Sequence, residues 1–441
     1  MTAKIIVLDD DPTGCQTVHG CLLLTQWDVD TLKLGLQDRA SLLFILTNTR
    51  AIAPQAAAEV TRQVCNNLKI ALENLGITEF LLVSRSDSTL RGHYPIETDA
   101  IAATLGEFDA HFLVPAFFEG GRFTRDSIHY LVIDGVPTPT HLTEFAKDSV
   151  FGYRHSYLPD YVAEKTQGRI SAAQVERFTL EQVQQGCLAR LLQLRDNQCC
   201  VVDAVTQADL DQFARDVLAA TQMGKRFLFR SAASLLTALA QLPAQAIAPE
   251  AMASYRRSDA PGVVVVGSHV QKTSDQLAEL LQLPTVAGIE VKVARLVEPR
   301  PVSPAVLVAE TLTQVRQVFA QGLTPVIYTS RQELSFADAA TRLEFGQGVS
   351  QLLMEIVQGL PPEISFLISK GGITSNDVLS TGLKLKSARL LGQILAGCSV
   401  VTTPADHPLF PNLPVVLFPG NVGDRTGLVT VYQRLMKISP N

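Results

Sequence analysis

The 441-residue chain has no basic excess: 37 Lys and Arg stand against 43 Asp and Glu, a formal net charge of −6, and the isoelectric point is near 5.8. Neutralising a phosphate backbone or an anionic bilayer in bulk needs surplus cations, so nucleic-acid and anionic-membrane surfaces are excluded as partners. No run of about 18 or more apolar residues occurs, which leaves no transmembrane helix to expect. The opening residues lack the charged, apolar and small-residue regions of a signal peptide, and the expected compartment is the cytoplasm. The seven cysteines (Cys15, Cys21, Cys65, Cys187, Cys199, Cys200 and Cys398) are odd in number and scattered. They read as reduced thiols rather than a disulfide framework, and with no CxxC and no cysteine–histidine spacing a structural zinc is not expected. A GxxxxGK[ST] loop, a GxGxxG fingerprint on the first strand of either half and the protein-kinase motif set are also missing. P-loop enzymes, dinucleotide dehydrogenases and protein kinases drop out with them.

What is present is a long apolar chain: 46% hydrophobic residues with a mean hydropathy of +0.17. At this length two domains are expected rather than one core. Short apolar runs recur, among them IIVLDDD (5–11), LLFILTNTR (42–50), FLLVSRSDS (80–88), HFLVPAF (111–117) and CCVVDAVT (199–206). The second half repeats the theme with GVVVVGSHV (262–270), TPVIYTSR (324–331), ISFLISKGGIT (364–374), CSVVTTPA (398–405) and LPVVLFPGNVG (413–423). Helix-like segments separate the runs, such as 54–76, which opens with Pro54 and stops at Gly76. The alternation predicts an α/β fold of two domains, each a mainly parallel sheet flanked by helices. An alanine- and proline-rich stretch suggests boundaries of 1–245, a linker over 246–262, and 263–441. Ligands of open α/β sheets sit outside the carboxyl ends of strands, and nearly every unusual cluster here follows an apolar run. The active site is accordingly expected in a cleft between the two domains.

Three clusters mark the first half. Asp9, Asp10 and Asp11 precede Thr13 and Gly14; adjacent like charges at a strand end need donors, a cation or water. One Asp would accept from hydroxyls and another orient or deprotonate a nucleophilic OH. The plainer alternative is that Asp11 or Thr13 caps a following helix. In SRSDSTLRGHYPIE (84–97), Arg85 and Arg91 bracket Asp87 and Ser88, and guanidinium forks suit planar anions. Here the alternative is a salt bridge to Asp87 with Ser88 as a cap, and His93 alone reads as a structural histidine. The third cluster, in 114–135, carries Glu119, Gly120, Gly121, Arg122, Thr124, Arg125 and His129, with a plain glycine turn as its alternative. Carboxylates, guanidiniums and hydroxyls together match a small polyhydroxy acid.

The second half offers three glycine loops: VGSHVQKTSDQ (266–276), SKGGITSNDV (369–378) and FPGNVGDRTG (418–427). Each follows an apolar run, as expected of turns that cradle a nucleotide polyphosphate.

These residues are similar to those of the four-carbon acid sugar kinase family, over nearly the whole chain. DDDPTG stands where the family has DD-x-TG, SDSTLRGHYPIE where it has DSTLRG, and 114–137 where it has a PA…GR…G signature; VVGSHVQKTSDQL, SKGGITSNDV and FPGNVGD follow in order. The resemblance implies an N-terminal sugar-acid-binding domain and a C-terminal nucleotide-binding domain. It implies that Asp10, Asp11, Arg85, Asp87, Arg91 and Arg122 contact substrate, and Asp10 and Asp11 are the expected catalytic residues, one or the other orienting and deprotonating the attacking hydroxyl. It implies nucleotide contacts at Ser268, Gly371, Gly372, Ile373, Thr374 and Gly420. The expected reaction moves the γ-phosphoryl of ATP, with Mg²⁺, to a terminal hydroxyl of threonate, erythronate or 3-oxo-tetronate, Arg85 and Arg91 holding the carboxylate and domain closure excluding water. The chain departs from the pattern with a third acidic residue and Pro12 in the first motif, with Ile373 in place of an acidic residue, and with PGNVGD in place of SGNFG. A non-catalytic sugar-acid or nucleotide sensor and a metal-dependent enzyme of another hydroxy acid are the alternatives, and self-association is left open.

Overall fold

Aliphatic runs become strands here because both faces of each sheet are covered by helices, so no position along them has to be polar. The computed structural model describes residues 3–437 apart from 299, 332, 333, 335 and 337. It divides into two compact units, Met1–Ala244 and Gln245–Asn441.

The first unit contains β1 (Lys4–Asp9), β2 (Leu22–Leu24), β3 (Leu42–Leu46), β4 (Phe80–Arg85), β5 (Ala110–Val114), β6 (Arg122–Arg125), β7 (Ile128–Ile133), β8 (Val136–Pro139), β9 (Glu176–Phe178), β10 (Gln198–Val202) and β11 (Phe227–Ser231). Its main sheet runs β2-β3-β1-β4-β11-β5-β10-β9, and every pairing is parallel. The chain leaves β1 toward β3 on one side and later places β4 on the other, so a topological switch point falls between β1 and β4. Register puts Asp9 beside Arg85 and Arg85 beside Ser231, a row at one carboxyl edge. The helix Pro54–Leu75 starts on its proline and ends at Gly76, whose φ of 65° is left-handed. Its Val64, Leu68 and Leu72 pack on Ile6, Leu43, Ile45 and Leu82 of the sheet. Gly120 and Gly121 do form a turn, with Gly121 at a left-handed φ of 73°, and residues 122–139 beyond it form a separate antiparallel sheet, β6-β7-β8, that the sequence pattern does not predict.

The second unit contains β12 (Val263–Val266), β13 (Val286–Val291), β14 (Thr324–Thr329), β15 (Leu367–Lys370), β16 (Ser387–Leu395), β17 (Cys398–Thr402) and β18 (Pro414–Phe418). The order is β13-β14-β12-β15-β18-β17-β16. The first five are parallel, and β17 and β16 add an antiparallel flank. Its switch point lies between β12 and β15. The stretch 246–262, expected as a linker, packs within this unit. Pro249–Tyr255 form a 3-10 helix, Met252 is buried in the core with Val264, Ile368, Val416 and Tyr432, and Glu250 pairs with Arg434 at 2.7 Å. Alanine and proline disguised one apolar anchor. Among the described residues no helix is long and apolar enough to cross a membrane.

Candidate active site

The end of β1 is fastened to both neighbours by its backbone. The Asp9 carbonyl accepts from the Thr47 amide at 2.9 Å, the Asp10 amide donates to the Arg85 carbonyl at 3.3 Å, and the Arg50 amide donates to the Asp10 carbonyl at 3.2 Å. Three carboxylates therefore leave the strand in fixed directions, and each meets a different environment. Asp9 is fully buried; its Oδ1 lies 3.6 Å from Arg85 Nη1, and its Oδ2 has no hydrogen-bond partner. A Cβ on Gly14 would sit 2.0 Å from Asp9 Oδ1, so only glycine admits this carboxylate. Asp10, 1% exposed, is gripped by Arg50 through Nη2 and through Nε at 3.3 Å, and accepts from the Ser86 hydroxyl at 2.7 Å. The Asp11 side chain keeps 22% of its exposure and lies 3.3 Å from Arg50 Nη1. No helix follows Asp11: residues 11–17 form turns, and the Asp11 carboxylate closes its own turn by accepting from the Thr13 amide at 2.8 Å.

These surroundings separate the three groups electrostatically. Burial, reinforced by Asp10 and Asp11 and opposed by Arg85, pushes the Asp9 carboxyl up to about 8, so it carries its proton at neutral pH. Burial would also raise Asp11, but Arg50 and the Thr13 hydroxyl outweigh it and hold the group below its ordinary value. Asp87 is held well below the usual carboxylate range, because Arg50 and Arg91 overcome its desolvation.

The loop after β4 is a rigid shelf. Three successive carbonyls accept from buried aromatic donors: Ser88 from His129 Nε2 at 2.8 Å, Thr89 from the Tyr153 hydroxyl at 2.7 Å and Leu90 from the Tyr161 hydroxyl at 2.9 Å. His129 sits 3.0 Å from the Thr124 hydroxyl through Nδ1. Burial lowers its pKa to about 4, so it stays neutral and gives its one proton to Ser88. Gly92 (φ 122°) lets the loop close on the network, since a Cβ there would meet Ser86 Oγ at 2.3 Å and Arg230 Nη2 at 2.5 Å. On the shelf Arg91 pairs with Asp87 at 2.8 Å and keeps 25% side-chain exposure, its guanidinium 4.9 Å from the Phe145 ring. Arg122, on β6, is partly exposed, has a buried Nε without an acceptor and feels the charges of Asp87 and Arg91.

In the second unit the three glycine loops are laced to one another. The Gly371 amide donates to the Phe418 carbonyl at 2.8 Å, and the Gly267 and Ser268 amides reach the Lys370 carbonyl at 3.2 and 3.3 Å. Thr273 Oγ1 donates to the Gly420 carbonyl at 3.0 Å. Side chains at all three loop glycines would collide: a Cβ on Gly267 would lie 2.2 Å from Thr374 Oγ1, one on Gly371 2.9 Å from the same oxygen, and one on Gly420 2.9 Å from Ser268 Oγ. The short helix Gly372–Asp377 follows directly, and its first-turn amides have no intrahelical acceptor. Lys370 is fully buried beneath this lattice, donating to the Pro419 carbonyl at 2.6 Å with Nζ 3.9 Å from the centroid of the Phe418 ring. Burial lowers its pKa to about 7.

Two family models match the chain: a sugar-binding N-terminal domain over residues 5–239 and a nucleotide-binding C-terminal domain over residues 263–428.

The chain belongs to the four-carbon acid sugar kinase family.

Among curated proteins it is 30% identical over 226 residues to a D-erythronate kinase of Heliobacterium modesticaldum, across 48% of this chain and 47% of that one. It is 29% identical over 197 residues to a D-threonate kinase of Bordetella bronchiseptica, across 44% of each. The chain thus spans about half the length of the curated relatives it matches. A solved Salmonella typhimurium LT2 structure, provisionally described as a tRNA synthase, matches with a TM-score of 0.69 over 98% of both chains at 21% identity, which speaks to the fold alone.

Within this family frame the expected acid-site residues do gather at one edge, but not in equal roles. Arg85, expected to hold a substrate carboxylate, is 4% exposed and lies against Asp9 and Asp10; the open guanidiniums are Arg91 and Arg122. The salt bridge weighed as the alternative for Asp87 and Arg91 is present. His93 is a structural histidine, its Nε2 3.1 and 3.0 Å from the Thr49 and Ile52 carbonyls. Ile373 leaves 66% of its surface in solvent. Sequence reasoning missed Arg50, Glu97 and Arg230. Arg230 pairs with Glu97 at 2.6 Å and donates to Ser84 and Ser86 at 2.7 Å each. Arg50 obeys the rule that singled out its partners, a polar residue just past an apolar run. Among the described residues no group of three or more His, Cys, Asp or Glu is placed to hold a metal ion.

Proposed function

We propose that the chain phosphorylates a hydroxyl of a small, four-carbon sugar acid with MgATP; erythronate, threonate and 3-oxo-tetronate are the candidate acceptors. The observation that carries the reading is that the first unit presents one solvent-reaching carboxylate, Asp11, together with two partly exposed guanidiniums, Arg91, paired with Asp87, and Arg122, which feels the charge of Asp87. A polyhydroxy acid supplies the complementary carboxylate and hydroxyls. The curated names of the two relatives and the glycine loops of the second unit support the nucleotide half of the reaction.

Phosphoryl transfer asks a protein mainly for in-line positioning and charge neutralisation. Arg91 and Arg122 hold the acid's carboxylate. Asp11, kept ionised by Arg50, orients the terminal hydroxyl; as the new O–P bond forms and the bond to ADP breaks, Asp11 takes the hydroxyl proton. Asp10 is too enclosed to touch substrate and sets the Arg50 guanidinium in place. The loops at Ser268, Gly371–Thr374 and Gly420 receive the polyphosphate.

A coupled ADP-release screen of four-carbon acids with MgATP tests the reading. Turnover with at least one stereoisomer is expected. A protein that shows neither a thermal shift with MgATP nor ADP release with any acid overturns it, and a shift without ADP release assigns a sensor instead.

A further inference from the structure

At the carboxyl end of β14 stands a guanidinium without an acid. Arg331 directs Nε and Nη2 to one neutral acceptor, Ser274 Oγ, at 3.2 and 2.8 Å, while its Nη1 is buried with no acceptor at all. Among the described residues it forms no ion pair. Burial lowers its pKa and no neighbouring carboxylate offsets that burial. The enclosed guanidiniums of the first unit differ: Arg50, Arg85 and Arg230 each have a carboxylate within 4 Å. Arg331 is only half-buried, but a buried Nη1 with no acceptor on a cation with no counter-charge is still unfavourable, and the arrangement makes sense where a ligand brings the anion.

Its position says which ligand. β14 pairs with β12, Val266 beside Tyr328, so Arg331 emerges next to the loop that carries Gly267 and Ser268. Thr329 Oγ1 lies 3.1 Å from His269 Nε2, tying that loop to the end of β14. Ser274 belongs to the helix Gln271–Leu280, which continues from the same loop. Arg331 thus braces one wall of the glycine-loop lattice, whose other groups are amides, hydroxyls, His269, the carbonyl-bound Lys370 and Lys272 on the same helix as Ser274. Resting on the reading of the second unit as the nucleotide-binding part, we propose that Arg331 is a phosphate-binding residue whose guanidinium takes an oxygen of the nucleotide polyphosphate. The charge-assisted fork supplies a rigid, two-point positive donor that backbone amides and a lysine ammonium do not.

The test compares full-length wild type with Arg331→Gln by calorimetric titration of ATP, ADP, tripolyphosphate and adenosine. Expected is a loss of about 10- to 100-fold in ATP and ADP affinity, the scale of a hydrogen bond to a charged group. Tripolyphosphate should cease to compete with ATP, while adenosine affinity and the melting point of the free protein should hold. Equal ATP affinity in wild type and variant overturns the inference and leaves the kinase reading standing; a wild type that binds no ATP overturns that reading instead. Should Arg331→Gln fail to fold, Arg331→Lys keeps a cation but loses the fork. It should bind ATP about 3- to 10-fold more weakly with adenosine unchanged, and ATP binding equal to wild type overturns the inference.

Discussion

At the carboxyl edge of the first unit the proposed acid site is lined by charged side chains: Asp11 and Asp87 stand with Arg91 and Arg122, while Asp10 and Arg50 brace Asp11 from behind. At the corresponding edge of the second unit the loops present backbone, with glycines at 267, 371 and 420 packed so closely that a side chain at any of them would collide. A sugar acid is small and defined by the handedness of a few hydroxyls, so side chains with fixed angles have to read it. A polyphosphate is repetitive and strongly charged, which suits the proposed cradle of amides with Arg331 proposed beside it.

The sharpest way to break this comparison is Asp11→Asn. It should cut kcat by about 10²–10⁴-fold in the ADP-release assay while ATP affinity by calorimetry stays within about 2-fold. Wild-type turnover would remove the assigned base. Next is the buried network: Arg230→Met strands the Glu97 carboxylate and should cost about 3–5 kcal/mol in urea unfolding. The double change Arg230→Met/Glu97→Met should recover a good part of that. Glycine substitutions come third. Gly92→Ala combines a left-handed φ with a Cβ 2.3 Å from Ser86 Oγ and should destabilise by at least about 2 kcal/mol. Gly371→Ala, with its nearest contact at 2.9 Å, should cost about 1–2 kcal/mol and raise the KM for ATP rather than for the acid.

The two edges should also answer pH in opposite senses. Asp9 is raised from 3.8 to about 8, so the folded protein binds more protons than the unfolded one between these values and stability falls with rising pH across that window. Lys370 is lowered from 10.5 to about 7; here the unfolded chain binds more protons, and stability rises with pH from about 7 toward 10.5. Urea midpoints measured against pH should lose the first slope in Asp9→Asn and the second in Lys370→Met. The smallest effect is expected at Ile373, whose side chain is largely in solvent: Ile373→Ala should move stability by less than about 0.5 kcal/mol and leave the KM for ATP nearly unchanged.

Much of this was legible in sequence where chemistry followed directly on an apolar run. Asp9–Asp11, the 84–97 stretch and the three glycine loops all announce themselves that way. The partners that decide what those residues do were not legible, because they are distant along the chain: Arg50 reaches back 40 residues to Asp10, and Arg230 reaches 133 residues to Glu97. Arg230 also lies inside the short strand Phe227–Ser231, where a single charge among phenylalanines looks incidental. The sequence could not rank Arg85 against Arg122 either. Both follow the same kind of run, and only burial separates a guanidinium that supports carboxylates from one that meets solvent. The small sheet β6-β7-β8 escaped notice because its strands are short, interrupted by glycine, and in β8 half proline.

The 3-10 helix Pro249–Tyr255 bears on where the molecule can be divided. A nucleotide-binding fragment begun at Val263, where the family match starts, would leave Met252 behind and open a hole beneath Tyr432 and Val416. It would also strip Gln245 from Gln393, whose amide and carbonyl it bonds at 2.9 and 3.1 Å. Dissection into separately expressed halves should therefore cut before Gln245, and the portable module is longer at its front than its motifs suggest.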